Sequence, residues 1–111
     1  MYSYRSGDRY QGDFKDSKRE GYGDYYFSNG DRYSGQWKHD IKNGKGRYFY
    51  ADGGRYEGLW KRDVKHGQGT YYFKSGDHYQ GTWLNGETDG DGEIHYADGT
   101  IETKTHVIIP K

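Results

Sequence analysis

Tyr56-Glu57-Gly58-Leu59-Trp60, with Lys65-His66-Gly67-Gln68-Gly69-Thr70-Tyr71 close behind it, is one copy of a pattern that decides the fold. The first half returns as Tyr10-Gln11-Gly12-Asp13-Phe14, Tyr33-Ser34-Gly35-Gln36-Trp37 and Tyr79-Gln80-Gly81-Thr82-Trp83, always at a step of 23 residues. The second half keeps the same step, as Gly21-Tyr22-Gly23, Gly44-Lys45-Gly46 and Gly90-Asp91-Gly92. A turn glycine follows suit at Gly7, Gly30, Gly53, Gly76 and Gly99. A fixed period of roughly 20 to 50 residues marks one supersecondary unit stacked on copies of itself. The chain therefore reads as a small solenoid, and solenoids bind far more often than they catalyse.

Working outward from Gly46, Gly46-Arg47-Tyr48-Phe49-Tyr50 is a short β-prone run, and Ala51-Asp52-Gly53-Gly54 is turn chemistry. A second run covers 55–60, and two such runs around a glycine turn spell a β-hairpin. The same reading fits 2–4 with 9–14, 23–27 with 32–37, and 69–73 with 78–83. The expected fold is all-β: an elongated single-sheet solenoid of about five tandem hairpins over residues 1–100. Residues 101–111 follow as a degenerate capping strand and tail. At about 4.8 Å per strand the rod is on the order of 50 Å long.

Alternation along a strand sets Gly46, Tyr48 and Tyr50 on one face, together with Tyr56, Gly58 and Trp60. The register drawn from this pairs Tyr50 with Tyr56, Tyr48 with Gly58 and Gly46 with Trp60, so that a ring covers each glycine. It calls for a turn of odd length, such as a three-residue loop with Gly53 or Gly54 at positive φ. The opposite face carries a second aromatic column, Tyr26, Phe49, Tyr72 and His95, with Leu59 nearby. A repeated aromatic on a nominally exposed face is a candidate partner-binding surface, although tyrosine and phenylalanine are also good strand formers.

Composition narrows the choice of function. Hydrophobic residues make up only 30% of the 111, so no ordinary aliphatic core is available. Aromatics make up 19%, with 14 tyrosines, so burial must come from rings that keep a polar tip wet. A formal net charge of zero gives no global pull toward nucleic acid or anionic membranes. The absence of cysteine removes disulfide, redox and thiolate-zinc chemistry. No apolar run approaches a membrane span, and no signal-peptide core follows Met1; a cytoplasmic setting is the default expectation. Asp89-Gly90-Asp91-Gly92-Glu93 lacks the ligand spacing of a calcium loop. The five histidines are scattered, so no metal, cofactor or catalytic residue is expected.

Tyr-x-Gly-x-Trp, then a basic residue and Gly-x-Gly, then a glycine turn, resembles the MORN (membrane occupation and recognition nexus) repeat over about residues 4 to 100. The unit from Tyr56 is very similar to the pattern, and that from Tyr33 has Asn43 where His66 stands. The first departs at Phe14 and Glu20, the last at Asp89. The resemblance implies a non-enzymatic scaffold that holds a protein partner or peptide segment, with self-association possible. It implies a ciliary, flagellar or cytoskeletal assembly as one setting. The alternative is a peripheral phospholipid-binding module. If the stretches between hairpins are loops, they gather Lys38, Lys42, Lys61, Arg62 and Lys65 on one edge, where anionic headgroups could meet them. The terminal Val107-Ile108-Ile109 is an apolar stub that either folds back on the last unit or meets a partner.

Overall fold

A computed structural model describes residues 1–109 of the chain. It contains β1 (Tyr2–Ser3), β2 (Arg9–Lys15), β3 (Lys18–Tyr26), β4 (Arg32–Lys38), β5 (Ile41–Phe49), β6 (Arg55–Lys61), β7 (Val64–Tyr72), β8 (His78–Leu84), β9 (Glu87–His95) and β10 (Ile101–Thr105). All ten form one antiparallel sheet in chain order, and its longest dimension is 46 Å. The five glycine-turn hairpins are β1–β2, β3–β4, β5–β6, β7–β8 and β9–β10. Units are numbered one to four here from Tyr10, Tyr33, Tyr56 and Tyr79.

The glycine turn is the expected three-residue loop. Gly53 N–H donates to Tyr50 O (3.0 Å) and Tyr50 N–H to Gly54 O (2.9 Å), with Gly53 at φ +103°. That loop also corrects the register. Tyr48 pairs with Tyr56, Gly46 with Gly58 and Gly44 with Trp60, two residues from the pairing drawn above. A slip of two leaves every side chain on its face, so the assignment of faces stands. Glycine therefore lies opposite glycine, in an unbroken row across the sheet from Gly12 through Gly23, Gly35, Gly46, Gly58, Gly69 and Gly81 to Gly92. The covering ring comes from the neighbouring strand: a Cβ at Gly46 would fall inside the ring of Tyr33. Gly44 has a different task, taking φ +101° where a bulge interrupts the pairing of β4 with β5.

The segments between hairpins are a second correction. They are not loops but two-residue turns, with both central residues at positive φ: Asp16-Ser17, His39-Asp40, Arg62-Asp63 and Asn85-Gly86. Positive φ at both positions is the hairpin geometry that matches strand twist. Lys42 and Lys65, read from the sequence as lying between hairpins, thus belong to β5 and β7. Each turn is tied to the previous one. Asp63 N–H donates to Lys42 O (3.1 Å) while Asp63 Oδ1 accepts from Lys42 N–H (2.8 Å). Asp40 and Arg19 repeat this one unit earlier (3.0 and 2.8 Å).

The single layer buries its own face. Tyr10, Tyr33, Tyr56 and Tyr79 are each 0% exposed. Tyr33 meets Trp37 edge-on at 5.1 Å and Trp60 at 5.4 Å, clamped by the tryptophans of its own unit and the next. Tyr56 repeats this between Trp60 and Trp83, at 5.3 and 5.2 Å. The indole N–H of Trp60 donates to Gly46 O (3.3 Å), and Tyr33 Oη donates to Gln36 O (2.8 Å). Trp60 also reaches Tyr48, at 5.9 Å, although it pairs across the strands with Gly44. Rings from both ends of the strands lean together over the tyrosine row, and this ring-lined face is called the inner face.

Candidate functional site

Two surfaces compete as the functional site, one on each face. On the inner face a second aromatic row runs beside the buried tyrosines: Tyr4, Tyr25, Phe27, Tyr48, Tyr50, Tyr71 and Phe73. Successive centroids are 4.6–5.8 Å apart. Apart from buried Tyr71, these rings are only half-buried, because no second layer covers them. Sequence reading placed Tyr48 and Tyr50 of this row on the face with Trp60 and looked for a partner on the opposite face. The signal that it stays open was present, since a 30% hydrophobic chain has no second layer to offer.

A row of cations forms the other wall. Arg19 lies 4.7 Å from the Trp37 ring and 4.9 Å from that of Tyr25, paired to Asp40 at 3.3 Å. Lys42 Nζ lies 5.3 Å from the Trp60 ring and 3.6 Å from Asp63. Lys65 Nζ lies 5.0 Å from the Trp83 ring and donates to Tyr50 Oη at 2.9 Å. Asp40 and Asp63 have Gly86 as their counterpart in the next turn. Burial pushes the Lys65 amine down to about 8. It lowers Lys42 as well, against the pull of Asp63. On the phenols burial acts in the opposite direction, raising Tyr25 to about 12 with help from its hydrogen bond to Asp8, and raising Tyr48 beside Asp31. Recesses open along this face, one walled by Tyr25, Phe27, Trp37, Arg19 and Lys42, another by Tyr2, Tyr4, Phe14 and Arg19.

This placement corrects the basic edge expected from sequence. Lys42 and Lys65 point inward among rings, and Lys65 is 5% exposed. Lys38, Lys61 and Arg62 remain exposed at the turns. The five cations are therefore split between a surface and an aromatic bed.

The outer face carries the column expected there, but not bare. Tyr26, Phe49, Tyr72 and His95 alternate across the strands with Arg9, Arg32, Arg55 and His78. Guanidinium carbons sit over the rings, Arg32 on Phe49 at 4.3 Å and Arg55 on Tyr72 at 4.0 Å. His78 and His95 close the column as a parallel stack at 4.6 Å. Leu59 shares the face but lies four residues along its strand from Arg55, with Glu57 between, so it does not join the column. Among the described residues no three His, Cys, Asp or Glu side chains gather as a metal site.

A one-layer meander of near-identical hairpins with buried tyrosines and a ring-lined inner face defines the class of short β-hairpin solenoids. A family model of the MORN repeat matches residues 10–32, 33–55, 56–78 and 79–101, and the chain belongs to that family. MORN repeat proteins are generally non-enzymatic scaffolds and often bind proteins or membrane lipids. No curated protein matches the chain as a relative.

Proposed function

We propose that this chain is a non-catalytic scaffold module that holds a segment of a partner protein on the ring-lined inner face. One observation carries the reading: the continuous, partly buried aromatic row from Tyr4 to Phe73, with recesses opening beside it. A contiguous strip of rings that no second layer covers offers an apolar seat to a partner segment. The rings are fixed by packing on a finished sheet, so little ordering entropy remains to be lost on binding. The outer column of Tyr26, Phe49, Tyr72 and His95, with Leu59, is the weaker candidate, because guanidinium groups already cover its rings. Binding to anionic lipid loses ground too. Only Lys38, Lys61 and Arg62 of the five cations face outward, and so few exposed charges hold a membrane poorly. The family resemblance makes a cytoplasmic, cytoskeletal or ciliary assembly the proposed setting.

Capture from cell lysate by three proteins tests this: wild type, Phe27→Ser with Phe73→Ser, and Phe49→Ser with Tyr72→Ser. The inner pair should lose a discrete partner that the outer pair retains, with the far-ultraviolet spectrum unchanged in both. Loss in the outer pair alone would move the site to the outer column. Retention by both, or capture only on phosphatidylserine vesicles that disappears by about 0.3 M salt, would remove the inner-face reading.

A further inference from the structure

The inner face is already occupied at one end. Strand β10 stops at Thr105, and His106, at φ +60°, turns the chain sharply while its N–H donates to Gly90 O at 3.1 Å. Val107 and Ile109 then pack against the aromatic core, while Ile108 between them is 84% exposed. The Thr88 hydroxyl contacts Val107 O. Glu87, Thr88 and residues 106–109 surround a recess at this spot. Thr88 holds the position that Arg19, Lys42 and Lys65 hold in the preceding units, so a short side chain replaces a long cation there. Where the next tryptophan of the series would stand, the sequence has His106. The space both would fill holds the two aliphatic side chains.

We propose that residues 107–109 are a built-in occupant of the groove, a cis strap that a partner must displace to use the fourth unit. The inference rests on reading the inner face as the binding groove, and it adds what that groove accepts. The strap has no strand pairing, is extended, and puts aliphatic side chains at alternate positions onto the rings, with a threonine hydroxyl reading its backbone carbonyl. The matching partner is an extended segment with aliphatic residues two apart. Its competitor is tethered and, among the described residues, is held by two aliphatic side chains and the Thr88 hydroxyl rather than by strand pairing, so it can exchange. A permanent cap would bury a tryptophan at this place, as the series does at Trp37, Trp60 and Trp83.

The test uses the full chain and a fluorescent synthetic peptide of its own residues 105–111. Wild type is compared with Val107→Ser plus Ile109→Ser, and with Thr88→Val. The double variant should bind the peptide in trans at least tenfold more tightly than wild type, with wild type monomeric. Thr88→Val, which keeps the groove's shape but loses the hydroxyl, should weaken the peptide against the same tail-altered background. Equal binding to wild type and variant would show the seat empty in solution and overturn the proposal. No binding to a variant whose far-ultraviolet spectrum matches wild type would overturn it too. So would a wild-type dimer lost in the variant, since the tail would then be exchanged between copies. None of these outcomes bears on the lysate capture, which reads Phe27 and Phe73; the two proposals therefore fail separately.

Discussion

Tryptophan and phenylalanine carry unequal weights on the two faces. Trp60 is 6% exposed, clamps Tyr33 and Tyr56, and donates to Gly46 O. Phe49 on the other face contacts chiefly a guanidinium. Trp60→Ala should cost about 3–5 kcal/mol of unfolding free energy, and Phe49→Ala less than about 1 kcal/mol, as urea titration would read. Lys65 makes a different prediction. Its folded pKa of about 8 lies below the ordinary lysine value, so between about pH 8 and 10.4 the unfolded chain holds a proton that the folded chain has released. Stability therefore rises with pH across that window. The buried tyrosines oppose this higher up, because their raised pKa values let the unfolded chain ionise first above about pH 10. Melting temperature should peak at about pH 9–10, and Lys65→Met should shrink the rising limb to the part that Lys42 contributes while leaving the fall. A flat profile in wild type would contradict the placement of Lys65.

Turns rather than strands are the elements in which sequence reading fell short. The hairpin strands, their faces and the loop at Gly53 were legible because alternation and glycine chemistry leave a direct trace. The second set of turns was not. Arg62-Asp63 and His39-Asp40 lack the glycine that usually announces positive φ at two successive residues. Their stability comes from ties to the neighbouring unit, which no local pattern displays. The same blindness sent Lys42 and Lys65 to an edge, since a strand residue was counted as a loop residue. The outer column was placed correctly, but its guanidinium cover depends on cross-strand register and was invisible before it. Asp63 is where the tie can be measured. Asp63→Ala removes the acceptor for Lys42 N–H and the ion pair and should cost about 1–2 kcal/mol. Asp63→Asn keeps the acceptor and should recover most of that loss in the same urea titration.

Across the whole molecule, stability is a sum of near-identical units and their interfaces, as expected for solenoids. Excision of residues 33–55 would join Arg32 to Tyr56, each followed or preceded by its ordinary kind of neighbour. The shortened chain should keep its circular-dichroism line shape, melt at a lower temperature, and lose about 10 Å of length by X-ray scattering, the width of two strands. Collapse of the sheet instead would mean that the second unit is unique.

The departures from perfect repetition then acquire a meaning of their own. On identical units a bound segment could shift by two strands and find the same rings again, so its alignment would be degenerate. Thr88 in place of a cation, and Gly86 where Asp40 and Asp63 precede it, make the fourth unit unlike its neighbours. Imperfection in the series would give the proposed groove an origin from which position along it can be counted.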